Sequence, residues 1–231
     1  MSRAPTPARR PLSGLGLLAV GLGAAALFFV ALAFDLGTLR LLAKPVPALV
    51  LGGWVVRRGA PRIGPPVAVG LGLSAVGDYL LERGWFVPGL LAFLSAHLAY
   101  TVAFVLAAPR LALRRALPFL AFGLTVFLVL RPGLGPLAIP VGVYVAVICT
   151  MMWRAAARVG AGPGWQGAPW LGLAGALAFA ASDTLIAFDR FHGGIAGARM
   201  PVMILYWLGQ WGIAASAGGT LWAAHGKLST T

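Results

Sequence analysis

Residues 71–100 read LGLSAVGDYLLERGWFVPGLLAFLSAHLAY, and the class of protein turns on how this stretch is read. Two apolar runs flank a short polar turn around Glu82 and Arg83, yet Asp78, His97 and Tyr100 sit inside the runs rather than in the turn. An ionisable group within an apolar run of membrane-spanning length is costly to keep there, which marks it as a candidate functional residue.

The rest of the chain extends this pattern. Of its 231 residues, 60% are hydrophobic and 10% are charged, with a mean hydropathy of +0.89. No soluble domain can hide that much apolar surface, so the expectation is an all-α, polytopic membrane protein. The 18 Lys and Arg against 5 Asp and Glu give a net charge of +13, which in a soluble protein suggests nucleic acid. Here the charges fall between apolar runs, so they are read as topology signals and contacts to anionic lipid, with no nucleic-acid partner. Cys149, the single cysteine, lies in an apolar run and forms no intrachain disulfide.

Punctuation by Pro, Gly and charge predicts about eight spans: 12–34, 39–56, 63–81, 86–107, 116–130, 134–153, 170–188 and 200–223, all in one membrane domain covering residues 1–231. The first run is too long for the apolar region of a cleaved signal, and is expected to remain as a span. Arg3, Arg9, Arg10, Arg57, Arg58, Arg62, Arg110, Arg114, Arg115, Arg154, Arg158 and Lys227 fall on one side. Arg40, Arg83, Arg131, Arg190 and Arg199 fall on the other, which predicts both termini on the cytoplasmic face of the cell membrane. Trp54, Trp153, Trp170 and Trp222 lie near the cytoplasmic ends and Trp85 near the other interface, as an aromatic belt requires. The Gly-rich stretch at 160–167 lacks the Gly-Lys-Ser/Thr ending of a phosphate loop and reads as a connection.

Within the spans the polar groups share one half of the membrane. At 1.5 Å rise per residue, Asp78 lies about 5 Å from the outer end of its span, Asp183 and Lys44 about 8 Å and His97 about 16 Å. Tyr206 and Gln210 are one turn apart on the last span, at about 9 and 15 Å. Lys44 either snorkels to the interface or pairs with an aspartate. Asp78 and Asp183 are the acid/base candidates; His97 is either a core histidine or a proton carrier. Ser74, Ser95 and Ser182 suit helix packing. There is no H-E-x-x-H, no G-x-S-x-G and no pair of histidines closely spaced on one face, so neither a metal nor a cofactor is expected.

These residues fall in an ordered set of short motifs: Lys44-Pro45; LSAVGDYLL with Gly77 and Asp78; Gly89, Phe93, His97 and Tyr100 as G-x3-F-x3-H-x2-Y; Phe179, Ser182, Asp183 and Leu185 as F-x2-S-D-x-L; and Tyr206-x3-Gln210. In this the chain resembles the YhhN-type lysoplasmalogenase family of multi-span membrane proteins, over residues 44–210. Ile186 departs from the leucine expected there. The resemblance implies hydrolysis of the vinyl ether of an alkenyl lysophospholipid, giving a fatty aldehyde and glycerophosphoethanolamine or glycerophosphocholine. The implied partners are that substrate and the membrane lipids.

Such a hydrolysis needs one acid, one base and negative charge near a developing oxocarbenium ion, which two carboxylates in unlike surroundings supply. Asp78 and Asp183 are assigned to that pair and His97 to orienting water or moving a proton. Lys44, Tyr100, Ser182, Tyr206 and Gln210 are assigned to substrate binding or orientation. The alternative is a transporter or proton pathway built from the same Lys, Asp and His, although few polar residues continue into the cytoplasmic half.

Overall fold

The computed structural model describes residues 14–161 and 167–218. Arg3, Arg9, Arg10, Trp222, His225, Lys227 and most of the Gly-rich connection lie outside the described residues. Among those described, nine α-helices form the fold and no strand is present. They are α1 (Gly14–Ala33), α2 (Gly37–Ala43), α3 (Val46–Arg58), α4 (Gly64–Glu82), α5 (Phe86–Ala107), α6 (Leu117–Leu134), α7 (Ala138–Arg158), α8 (Gly167–Phe191) and α9 (Arg199–Ser216). An isolated antiparallel bridge joins Gly59 to Gly218.

Among the described residues, five helical segments are long and apolar enough to cross a membrane: Gly16–Ala33, Gly37–Arg58, Phe86–Ala107, Ala168–Phe191 and Leu113–Arg158, the last comprising 46 residues and both α6 and α7. Inside a bilayer the helix satisfies every backbone polar group within itself, which is why these runs fold as they do. α4 and α9 carry more polar side chains and fall outside that set.

The predicted span 39–56 is broken into α2 and α3 at Lys44 and Pro45. Proline has no N–H to give the preceding turn, but both residues keep right-handed helical angles, so the chain bends and continues. Conversely, the predicted end of the fifth span at residue 130 is overrun. α6 continues through Pro132 to Leu134 before a short 3-10 turn, Gly135–Leu137. α8 also extends to Phe191, which sets Asp183 about 12 Å from that end instead of 8 Å.

Consecutive passes alternate in direction. One end of the bundle gathers Asp35, Arg40, Glu82 and Arg199. There the Arg40 guanidinium donates to Asp35 at 2.6 Å and holds this exposed carboxyl below its usual range. The other end gathers the arginines of α7. Arg154 donates to the carbonyls of Ala108, Arg110 and Leu111, just past the end of α5. Arg158 reaches the Ser216 hydroxyl at 3.0 Å, and Arg115 the carbonyls of Ala156 and Val159. Cations on the last, unpaired carbonyls of a helix are electrostatically favoured.

Small residues set the closest approaches. A Cβ placed on Gly175 of α8 would lie 2.7 Å from the Ile213 nitrogen of α9, and one on Gly209 would lie 2.8 Å from the Phe179 nitrogen, so these two backbones nearly touch. Between α4 and α5, Gly70 and Gly77 leave room for the rings of Tyr100 and Phe93.

Candidate functional site

Four helices present their polar side chains in single stripes. Ser74, Asp78 and Glu82 are spaced four residues apart on α4. Phe93, His97 and Tyr100 share a face of α5, Phe179 and Asp183 a face of α8, and Tyr206 and Gln210 a face of α9. α7 contributes Tyr144.

These side chains form two groups around the buried ring of Phe179, whose centroid lies 4.6 Å from that of His97, 5.2 Å from Tyr206 and 6.3 Å from Tyr100. On one side, the Tyr206 hydroxyl donates to Asp78 Oδ2 at 2.7 Å. Beside it the Tyr100 hydroxyl donates to Gln210 Oε1 at 2.7 Å and lies 3.2 Å from Ser74 Oγ. On the other side, the Tyr144 hydroxyl donates to Asp183 Oδ2 at 2.6 Å, and His97 Nε2 lies 3.5 Å from the same oxygen. Neither ring nitrogen of His97 has a hydrogen-bond partner of normal geometry among the described residues. A buried polar atom left unpaired is costly unless function uses it.

Each aspartate therefore has its own tyrosine, and the two carboxylates share no hydrogen bond among the described residues. Asp78, His97, Tyr100, Tyr206 and Gln210 are all buried. Asp183 lines an apolar cleft of about 70 Å³ between α4, α5, α6, α7 and α8, whose walls include Leu81, Phe93, Phe122, Tyr144, Ile148 and Cys149. Asp183 is the one acidic residue in that lining. A second hollow, of about 550 Å³, lies between α6 and α8 and shares Phe122, Ala180 and Thr184 with the first.

Lys44, Glu82 and Ser182 have partners that the sequence does not indicate. Lys44 pairs with neither aspartate; its Nζ lies 3.5 Å from Glu82 Oε2. Glu82, read as part of a connection, is instead the half-buried last residue of α4, and it also meets Arg40 and Arg199. Ser182 donates to the Val202 carbonyl at 3.0 Å, a bond between α8 and α9 rather than into the cleft. Sequence reasoning passed over Tyr144, although a lone tyrosine inside the run IPVGVYVAVICT is the same signal that drew attention to Tyr100. No group of three His, Cys, Asp or Glu side chains forms a common cluster among the described residues, so Asp78 does not join His97 and Asp183 around one point.

The model of the YhhN family matches residues 39–217. Over 156 residues the chain is 39% identical to the human protein named lysoplasmalogenase TMEM86A, covering 65% of this chain and 64% of that one. Over 183 residues it is 36% identical to human lysoplasmalogenase TMEM86B, covering 76% and 74%. A lysoplasmalogenase of Mycobacterium tuberculosis is 35% identical over 149 residues, 58% of this chain and 53% of that one. The chain thus spans a little under two thirds of the TMEM86A relative. No solved structure matches it.

Proposed function

The chain belongs to the YhhN family, and from that premise we propose that it hydrolyses the vinyl ether bond of alkenyl lysophospholipids. The products are a fatty aldehyde and a glycerophospho-alcohol such as glycerophosphoethanolamine or glycerophosphocholine. The relatives named lysoplasmalogenase support the reaction class. The observation that carries it to particular residues is an acid, Asp183, with Tyr144 and His97 beside it, lining an otherwise apolar cleft.

In this reading the vinyl ether end of the hydrocarbon chain enters the cleft, while the rest of the chain lies in the larger hollow between α6 and α8 and in the bilayer beyond it. Asp183 gives its proton to the alkene carbon farther from the ether oxygen. The C=C electron pair forms the new C–H bond, and the carbon attached to oxygen becomes an oxocarbenium ion. Water, oriented by His97, adds to that carbon and surrenders a proton to an ionised carboxylate. The resulting hemiacetal breaks its C–O bond to the glycerol oxygen, which takes up a proton as the aldehyde leaves. Asp78, held by Tyr206, supplies negative charge to the developing cation from the neighbouring polar group. Eight crossings with both termini on the cytoplasmic side of the cell membrane complete the proposal. The arginine-rich end then faces the cytoplasm and the Glu82 end faces outward.

The test is aldehyde release by purified protein in detergent, supplied with an alkenyl lysophospholipid and, in parallel, its saturated alkyl and acyl counterparts. The expected result is aldehyde from the alkenyl lipid alone, lost in Asp183→Asn and Asp78→Asn while both variants stay folded. Near-normal turnover in both variants overturns the mechanism. Hydrolysis of the acyl lipid points to an esterase, and no turnover of any lipid shifts the weight to a proton or ion pathway.

A further inference from the structure

Three cations, Arg40 of α2, Lys44 just past its end and Arg199 at the start of α9, converge on one carboxylate at the outer end of the bundle. Arg40 Nε, Lys44 Nζ and an Arg199 guanidinium nitrogen lie 3.0, 3.5 and 3.7 Å from the Glu82 carboxylate, whose side chain is only 4% exposed. Asp35, 92% exposed, partners Arg40 from the solvent side at 2.6 Å. The cluster thus holds three positive charges against two negative ones. Asp78 lies one turn below and feels the Lys44 charge, but the half-exposed Arg199 has Glu82 alone as its ion-pair partner among the described residues.

The surplus is one charge, and it sits one helical turn from Asp78. Glu82 and Asp78 are four residues apart on α4, which is about 6 Å along the axis. The three-carbon glycerol of a lysophospholipid separates its phosphate from its ether oxygen by a span of that order. Asp78 and the cleft lie below the cluster: Leu81, the residue before Glu82, lines the cleft, and so does Phe93. Arg199 is half exposed, which opens the cluster to the outer interface.

We propose that Arg40, Lys44 and Arg199 bind the phosphate of the substrate's headgroup, with Glu82 as the built-in anion that holds them in place until phosphate arrives. The inference rests on the vinyl-ether reading for the identity of the ligand, but not for its geometry. A phosphodiester carries one negative charge and accepts two or three charge-assisted bonds, which matches this donor set. As the phosphate enters, the guanidinium and ammonium groups exchange one oxyanion for another, and the glycerol is thereby placed with its ether beside the two aspartates.

The test is binding, so that it stands whether or not the protein is a hydrolase. A saturated alkyl lysophospholipid, which lacks the vinyl ether and cannot be cleaved by this chemistry, is titrated against the full chain in detergent by tryptophan fluorescence. An alkylglycerol of the same chain length, which lacks phosphate, is titrated in parallel. The quantity read is the ratio of the two dissociation constants. Arg40→Gln, Lys44→Met and the half-exposed Arg199→Gln should each weaken the preference for the phospholipid by about tenfold, the loss expected for one charge-assisted contact. Glu82→Gln should move the ratio the other way, because it frees the cations.

A salt-bridge network with only a structural role would move all four variants together or not at all, and either result overturns the proposal. Inorganic phosphate is added as a competitor in a further arm. Displacement of the lipid at equal concentration would assign the site to free phosphate instead of a lipid headgroup, and would also overturn it. If the ratios shift as expected while no aldehyde forms from the alkenyl lipid, the headgroup site stands and the hydrolase reading falls.

Discussion

Gly175→Ala should cost this protein stability and activity together. The added Cβ would meet the Ile213 nitrogen at 2.7 Å, the Gly209 oxygen at 2.8 Å and the Gly212 carbonyl carbon at 2.9 Å, all of them backbone atoms of α9. Ordinary contact begins near 3.4 Å, so α9 must retreat by about 0.7 Å, and no flexible side chain is there to yield instead. Overpacking of this kind costs about 1–3 kcal/mol. For a chain of this length that lowers the thermal midpoint by roughly 2–4 °C per kcal/mol. Because α8 carries Asp183 and Phe179 while α9 carries Tyr206 and Gln210, the same retreat separates the two halves of the site. Aldehyde release should therefore fall further than the loss of folded protein explains. Gly72→Ala is the matched control: nothing lies within 4 Å of its Cβ, and removing a helix glycine gains about 0.5–1 kcal/mol. Unfolding followed by tryptophan fluorescence in detergent, with aldehyde release on the same samples, reads both quantities. A Gly175→Ala protein as stable and active as the unmodified one would refute the close approach of α8 and α9.

Three other substitutions probe the site and the arginine-rich end of the molecule. Tyr206→Phe removes the hydroxyl that donates to Asp78 but keeps the ring among Phe93 and Phe179. Turnover should fall by roughly 10–100-fold, the range for a hydrogen bond to a charged group. Tyr100→Phe, whose hydroxyl meets only neutral partners, should lose less than tenfold. Equal losses in the two would remove the special standing given to Asp78. Arg154→Met takes away the donors to Ala108, Arg110 and Leu111 at the end far from the site. Stability should drop by about 2–4 kcal/mol with turnover per folded molecule retained, and a marked loss of turnover at unchanged stability would contradict its structural role.

The helices were legible because apolar runs and their Pro, Gly and charged interruptions are local signals. The boundaries of α5 follow from them directly, at Phe86 and Ala107. What misled was punctuation whose effect depends on tertiary surroundings. Pro45 splits a span, whereas Pro132 is carried inside the last turn of α6. At the site, Asp78, His97, Asp183 and Tyr206 were marked by their residue types alone. Their pairing was not, because the sequence says which groups are buried but not which ring stands between them. Lys44 shows this best: its depth allows either the interface or an aspartate, and its ion-pair partner in the fold is Glu82. Tyr144 was missed since its ring suits an apolar run, and only contact with Asp183 shows where its hydroxyl goes.

The position of Phe179 has a further consequence. Aromatic carbon conducts no proton, so a ring packed against both His97 and Tyr206 stands as a partition between two polar groups, each with its own carboxyl and its own tyrosine. Two acids in direct contact act as one unit, in which ionising the first suppresses the second. Across this partition each is free to hold or lose its proton on its own account. On the proposed reaction, a lipid held beside the ring has Asp183 on one of its sides and Asp78 on the other.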